Sequence, residues 1–185
     1  MITIPQDNCL IMLKGITPNS LIGATQFFYY LYDMKLSTNF SLSELTESAT
    51  ARKLNLNEQF NPPPHVVNNL TRLCHSILQP LRDRLNRPIR ISSGYRCGTL
   101  NRAVGGVKDS AHLTGNAADI DYTTQTEAIE LVEALIAIGA KRIGLHKSFI
   151  HVDIDTSKPS PAIWNYGSGT PKWLLDKRAE WLKRM

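Results

Sequence analysis

The sequence predicts an α+β domain in which helices flank a small, mainly antiparallel sheet. Apolar residues repeat with a helical period between Val66 and Leu85, and again between Ile129 and Ile136. Short strand-like segments lie among these helices, at residues 89–91, 117–122, 142–145 and 149–154. Helices and strands that follow one another in this order are typical of the α+β class.

Caps and prolines mark the elements of the first half. Ser41, with Glu44 three residues later, forms a capping box that predicts a short helix. Prolines at positions 62–64 break the chain before the long amphipathic helix. Pro80 lies inside that helix and predicts a kink or a split, and Pro88 ends the helix.

The second half repeats the same kinds of signal. Thr124 and Glu127 form another capping box, which opens a helix that Gly139 ends. The segments 142–145 and 149–154 then predict two strands joined by a tight turn. For the last helix, which extends to Arg184, Thr170 is the expected N-cap and Pro171 the first-turn residue.

Composition is that of a soluble globular chain, with 42% hydrophobic and 20% charged residues. The three cysteines have no metal-type spacing and imply no disulfide framework. Cys74 lies on an apolar helix face and is expected in the core, whereas for Cys97 a reactive thiol stays open. No apolar run is long enough to span a membrane, and no secretion signal is visible.

The net charge of +5 is unevenly distributed along the chain. Residues 82–108 contain seven Lys/Arg and one Asp, whereas residues 110–140 contain five acids and no Lys or Arg. The basic stretch either steers an anionic polymer towards the protein or is a plain solvated face. Nucleic acid is not expected as a partner, because no helix-turn-helix, zinc-finger or RNA-binding signature occurs.

Three residues in two motifs are the candidate metal ligands. His112 and Asp119 lie seven residues apart, and a second histidine follows as His151. Two imidazoles and one carboxylate are the ligand set of an open zinc site, in which water takes the fourth place. Such a site makes hydroxide available near neutral pH. The three residues therefore indicate a metallohydrolase with Zn²⁺ as its cofactor.

The residues around these ligands form a longer pattern. Residues 110–119 read Ser-x-His-x-x-Gly-x-Ala-x-Asp, and residues 151–153 read His-x-Asp. Residues 93–96 read Ser-Gly-Tyr-Arg, and residues 100–106 read Leu-Asn-Arg-Ala-Val-Gly-Gly. The pattern extends over residues 36–166 and resembles peptidase family M15, the zinc D-alanyl-D-alanine carboxypeptidases and L-alanyl-D-glutamate endopeptidases. The resemblance implies a hedgehog/DD-peptidase fold and hydrolysis of an amide bond in the peptide stems of peptidoglycan, with exo- or endo-cleavage left open.

The resemblance also implies further site residues. Arg96 matches an arginine that family members place beside the metal, where its planar fork suits a substrate carboxylate or the scissile carbonyl. Pairing of Arg96 with a local acid is the alternative. Ser110 is expected to bind near His112 and to contribute to substrate binding. Asp121 shares a strand face with Asp119 and either orients a ligand or is a surface carboxylate.

Asp153 and His146 are the two candidates for the proton-transfer group. Asp153 is expected to share a strand face with His151, as general base or as a group that orients an imidazole. His146 matches a histidine that assists catalysis in related carboxypeptidases, although a solvent-exposed turn histidine is the alternative. Ser148 stands where other branches carry an acid. This departure supports the alternative function, a non-catalytic zinc-containing binding or structural module.

The chain is expected to divide into three parts. Residues 1–33 form an N-terminal extension of uncertain role, and residues 34–166 form the zinc peptidase domain. Residues 167–185 form a basic amphipathic helix that either packs on the domain or lies on an anionic surface. Without a visible signal peptide, the expected route is synthesis in the cytoplasm followed by action on the cell wall, including phage-type release.

Overall fold

The computed structural model describes residues 34–166 and 169–185, so the predicted extension 1–33 lies outside the described residues. The described part is a mixed helix-and-sheet structure, as predicted. Its α-helices are α1 (Leu42–Thr46), α2 (Ala49–Lys53), α3 (Pro64–Leu73), α4 (Gln79–Leu85), α5 (Gly98–Ala103), α6 (Gln125–Ala137) and α7 (Lys172–Arg184). Short 3₁₀ turns occupy Asn57–Phe60 and Ala111–Thr114.

One five-stranded sheet lies among these helices. Its strands are β1 (Ile91–Ser93), β2 (Ala117–Asp121), β3 (Arg142–Leu145), β4 (Phe149–Asp153) and β5 (Ala162–Asn165). The spatial order is β1-β2-β4-β3-β5, and every pair is antiparallel except β3 with β5. The sheet is therefore mainly antiparallel, as the sequence predicts.

Two strands differ from the sequence prediction. The first strand begins at Ile91 rather than at position 89, because Ile91 and Ser93 are the residues that pair with β2. Strand β5 was not predicted. Its four residues, Ala-Ile-Trp-Asn, show no clear alternation, and they are held by parallel pairing with β3. Such long-range pairing leaves no local signal in the sequence.

The long helix is split into two parts, one of the two outcomes that Pro80 predicts. A π-helical turn, Cys74–Leu78, joins α3 to α4 just before Pro80. Proline has no N–H to donate and its ring crowds the preceding turn, so a wider turn is an expected accommodation. The helix still buries one continuous apolar face, on which Leu70, Leu73, Leu78 and Leu81 are fully inaccessible to solvent.

The predicted caps of α1 and α6 are confirmed. The backbone N–H of Glu44 donates to the Ser41 hydroxyl at 3.3 Å, and that of Glu127 donates to the Thr124 hydroxyl at 3.2 Å. Helix α6 ends before Gly139, whose φ of +86° is in the left-handed region that favours glycine.

The C-terminal helix packs on the domain. Leu174 and Trp181 are fully buried, and the Trp181 indole N–H donates to Glu133 of α6 at 2.7 Å. The predicted N-cap is wrong, because α7 begins at Lys172 without a side-chain cap. Thr170 instead donates its hydroxyl proton to the carbonyl of Leu145 at 2.9 Å, which ties the helix entry to β3. Among the described residues, no helix combines the length and apolar character needed to cross a membrane.

Candidate metal centre

Three side-chain atoms converge at one buried point. His112 Nε2 lies 3.2 Å from Asp119 Oδ1 and 3.2 Å from His151 Nδ1, and the last two atoms are 2.8 Å apart. Ligands about 2.0–2.1 Å from a tetrahedral ion are separated from one another by about 3.3 Å. The observed separations therefore suit a metal ion, and the three residues are at most 3% exposed.

The sheet and one tight turn bring these residues together. Asp119 and His151 are direct cross-strand neighbours of β2 and β4. His112 lies on the 3₁₀ turn that precedes β2, and Gly115 ends this turn with a φ of +72°. A Cβ atom at Gly115 would lie 2.8 Å from the carbonyl oxygen of Val66, so both conformation and space require glycine.

A backbone carbonyl fixes the orientation of His112. Its Nδ1 lies 2.6 Å from the carbonyl oxygen of Gly94, so Nδ1 carries the proton and Nε2 directs a lone pair towards the cluster. Gly94 approaches α1 so closely that a Cβ atom would lie 2.3 Å from the Leu45 carbonyl oxygen. The glycine of the Ser-Gly-Tyr-Arg motif therefore lets the chain reach the histidine.

A carboxylate and a guanidinium lie behind His151. Its Nε2 is 3.2 Å from Asp153 Oδ2, and Arg142 Nε donates to Asp153 Oδ1 at 2.7 Å. The N–H of Asp155 also donates to that oxygen, at 3.0 Å. Both Asp153 oxygens are thus occupied, and the residue is only 3% exposed. Arg142, which no sequence motif indicated, is the last member of this hydrogen-bonded series and also donates to the Pro159 carbonyl.

Arg96 lies on the other side of the cluster. Its guanidinium donates to Asp119 Oδ2 at 2.5 Å and to the Ser93 hydroxyl at 2.8 Å. Asp119 therefore directs one oxygen towards the two histidines and the other towards Arg96. The Arg96 side chain is 17% exposed, and it lines a cavity of about 280 Å³ with Ser93 and Tyr95. This placement combines local pairing with an acid and a position at the cavity wall.

Burial and charge set the protonation of the cluster. Burial lowers the pKa of His112. Burial alone would raise the pKa of Asp119, but His112 and His151 hold that pKa well below its usual range. Burial alone would lower the pKa of His151, but the carboxylates of Asp119 and Asp153 outweigh it and raise that pKa. The site thus favours a positive charge, as a proton on His151 or as a bound cation.

Aromatic rings cover one side of His151. The ring centroids of Trp164 and Tyr166 lie 5.4 and 5.7 Å from its imidazole. Gly144 provides the necessary space, since a Cβ atom there would lie 2.5 Å from Tyr166 Cε2 and 3.0 Å from Trp164 Cε2. Sequence reasoning missed all three residues, because Trp164 and Tyr166 belong to the unpredicted strand β5 and the turn after it.

The turn before β4 holds His146 and Ser148. The His146 ring stacks on Phe149 with a centroid distance of 4.0 Å, and its Nδ1 lies 3.1 Å from the Ser148 hydroxyl. Burial lowers the pKa of His146, and the neighbouring Lys147 acts in the same direction. His146 is therefore a neutral imidazole near pH 7. It is partly buried against the aromatic side of the site.

Three other candidates have local partners. The Ser110 hydroxyl accepts from the His112 N–H at 3.4 Å, in agreement with the expected supporting contact. Asp121 forms an ion pair with Arg90 at 3.0 Å instead of contacting a histidine, which matches the surface alternative. Cys97 is buried and caps α5, and burial raises the pKa of its thiol. These features do not suit a reactive thiolate.

Comparison with known protein families identifies the chain. The family model described as Peptidase M15 matches residues 38–153, well over half of the sequence. The chain belongs to peptidase family M15. The matched segment of this M15 peptidase contains Arg96 and the whole cluster of His112, Asp119 and His151, and it ends at Asp153. A search of curated proteins returned no match.

Proposed function

We propose that this M15 peptidase is a zinc enzyme that hydrolyses an amide bond in the peptide stem of peptidoglycan, as a carboxypeptidase or as an endolysin-like endopeptidase. The observation that carries the proposal is the convergence of three ligand atoms from His112, Asp119 and His151 at one buried point. Its expected place of action is the cell wall.

Zinc suits the donor set of this site. Two imidazoles and one carboxylate, with a fourth position open, are typical of catalytic zinc. A zinc ion bound there supplies Lewis-acid activation of water and of the scissile carbonyl at neutral pH. Gly94 and Asp153 each hold the outer nitrogen of one histidine, which keeps the inner nitrogens available as ligands.

Arg96 is proposed to act on the substrate. Its pairing with Asp119 and Ser93 holds the guanidinium beside the cluster, at the wall of a cavity. From there it can donate to the scissile carbonyl oxygen as negative charge develops, or to a substrate carboxylate. Ser110 has a supporting role, through the backbone of His112.

Asp153 and His146 are proposed to have different roles. Both oxygens of Asp153 are occupied by His151, Arg142 and the Asp155 N–H, so its proposed role is to orient His151. His146 is neutral near pH 7, because burial lowers its pKa, and a neutral imidazole can accept a proton. We therefore assign proton transfer to His146. Ser148 stands where other branches of the family carry an acid, so the proton acceptor has to come from another residue.

Mass analysis of muropeptides tests the proposal. Purified peptidoglycan is digested with wild-type protein, with and without a chelator, and the masses of the released fragments are measured by mass spectrometry. We expect one type of stem-peptide bond to be cut, with cleavage abolished by the chelator and restored by Zn²⁺. The exposed histidine His75 provides a matched control, so His75→Ala should cut normally while His151→Ala should not.

The same experiment tests the alternative function. A protein that binds zinc and leaves the muropeptides intact would be a non-catalytic module of the same fold. The replacement of an acid by Ser148 is the observation that favours this second candidate. Cleavage that persists after complete removal of the metal would contradict both.

A further inference from the structure

We propose that Gln59 is a positioning residue that holds Arg96 in place through the backbone on both sides of it. This inference rests on the proposed function, because Arg96 is taken to act on the substrate. Gln59 lies on the 3₁₀ turn Asn57–Phe60, and it is fully inaccessible to solvent. It belongs to none of the motifs that indicated the metal site.

The amide of Gln59 joins three backbone groups from two parts of the chain. Its Nε2 donates to the carbonyl of Thr46 at 2.8 Å and to the carbonyl of Tyr95 at 2.7 Å. Its Oε1 accepts from the N–H of Cys97 at 2.8 Å. The two residues that flank Arg96 are thus bound to one side chain.

The segment held by Gln59 also contacts two members of the cluster. The Gly94 carbonyl binds His112 Nδ1 at 2.6 Å, and the Arg96 guanidinium binds Asp119. The Arg96 N–H donates to the His112 carbonyl at 3.1 Å. A shift of this segment would therefore move the guanidinium relative to the cluster and the cavity.

Amide chemistry is required at this position. A buried polar group without a partner is unfavourable, and a methionine at this position would leave three backbone groups unsatisfied. A carboxylate of the same length would keep the acceptor for Cys97 but would lose both donors. Glutamine supplies two donors and one acceptor in a single planar group. Gln59 itself contacts the residues that flank Arg96 and none of the three candidate metal ligands. We therefore expect its substitution to lower turnover rather than zinc content.

A double-mutant cycle tests this role. Gln59→Met should lower kcat on stem peptide on the order of 10²-fold, the usual effect of misplacing a catalytic group by about 1 Å. Zinc content should be unchanged. In an Arg96→Lys background, the same change should have less than about a threefold effect, because the group that Gln59 positions is already lost. Full additivity of the two changes would overturn the proposal.

Gln79 provides the matched control. This glutamine of α4 also makes several hydrogen bonds, to Ser37, Asn39 and Asp83, and none of these partners belongs to the segment that Gln59 holds. Gln79→Met should leave kcat within about twofold of wild type, as remote sites act independently. If Gln79→Met and Gln59→Met lower kcat equally, the effect is general destabilisation and the proposal fails.

A second readout does not depend on activity. In ¹⁵N-labelled protein, the Arg96 Nε–H signal should be protected from exchange, since this N–H donates to Ser93. We expect the protection to be lost in Gln59→Met and kept in Gln79→Met. If Gln59→Met does not fold, Gln59→Asn, which keeps the neutral amide but is one methylene shorter, is measured instead. An unchanged Arg96 signal would refute the positioning role, whereas a wild-type protein without peptidase activity would refute only the proposed function.

Discussion

Each histidine of the cluster has one nitrogen bound on the outside and the other directed inwards. For His112 the outer partner is the Gly94 carbonyl, and for His151 it is the Asp153 carboxylate. These contacts select the tautomer and the ring orientation, and they raise the basicity of the inner nitrogen. The inner nitrogens of both histidines are therefore oriented towards a cation position before a cation binds.

Asp153→Asn tests the orienting role of this carboxylate. An amide keeps the size but weakens the contact to His151 and to Arg142, so we expect zinc affinity to fall roughly 10–100-fold. Zinc competition titration measures this change. Asp121→Asn, on the neighbouring strand and paired with Arg90, is the control and should bind zinc normally. Full zinc affinity in Asp153→Asn, combined with loss of turnover, would instead identify Asp153 as the general base.

The pH dependence of zinc binding follows from His151. Its carboxylate neighbours raise its pKa above the ordinary value of about 6.5, and zinc must displace the proton. Apparent zinc affinity should therefore increase with pH until the raised pKa is passed, by about tenfold per pH unit below it. Calorimetry from pH 5.5 to 8.5 measures this slope, and a constant affinity below pH 7 would contradict it.

In the metal-free protein, the contribution of His151 to the free energy of unfolding should decrease as the pH rises. Because the folded-state pKa of His151 is raised, its contribution to stability is present below the unfolded value of about 6.5. That contribution is lost as the pH rises through the folded-state pKa. Denaturant titrations of metal-free protein at several pH values measure the free energy of unfolding. The contribution of His151 to it should be present below a pH of about 6.5 and absent above the folded-state pKa.

At the scale of secondary-structure elements, the helices and strands that could be predicted were those marked by nearby residues in the sequence. The capped helices α1 and α6 were found from their capping residues, and β3 and β4 from their short apolar segments. Strand β5 and the bonds of Thr170 and Arg142 depend on partners distant in the chain, to which a local pattern gives no access. The cluster of three candidate ligands was predictable because their spacing is itself a motif, whereas Gln59 and Gly144 have no such signature.

Gly144→Ala tests the packing of β3 between β4 and β5. The added Cβ would lie 2.5 Å from Tyr166 and 3.0 Å from the Cβ of His151, so the aromatic rings must move. We expect a loss of about 1–3 kcal/mol in the free energy of unfolding, the usual cost of overpacking. Chemical denaturation measures it. Gly98→Ala, where the nearest atom is 3.5 Å away, is the control, and equal stability of the two variants would refute this account.

At the scale of the whole molecule, the two oppositely charged segments partly neutralise each other. Arg87 pairs with Glu127 at 3.3 Å and with Glu130 at 2.8 Å, so the basic segment lies against acidic α6. Arg96 is likewise engaged with Asp119. The uneven charge of the sequence is thus in part an internal complementarity, and it gives weaker support to long-range steering of an anionic polymer than the linear sequence suggests.

Removal of residues 1–33 tests where the folding unit begins. Leu36 and Phe40 are buried in the core, and the N–H of Leu42 donates to the Met34 carbonyl at 2.8 Å. The chain from Met34 onward therefore closes on the domain. We expect the truncated protein to fold and to bind zinc as the full chain does, as measured by thermal unfolding and metal content. An insoluble or metal-free product would show that the extension completes the core.

The metal content of purified protein tests the central claim most directly. After expression in zinc-replete medium and dialysis, elemental analysis of the wild type should give about one zinc per chain, as expected for a single three-ligand site. His151→Ala should lose this zinc, and His75→Ala should keep it. A wild-type protein without zinc, or undiminished zinc in His151→Ala, would contradict the assignment of His112, Asp119 and His151 as the metal site.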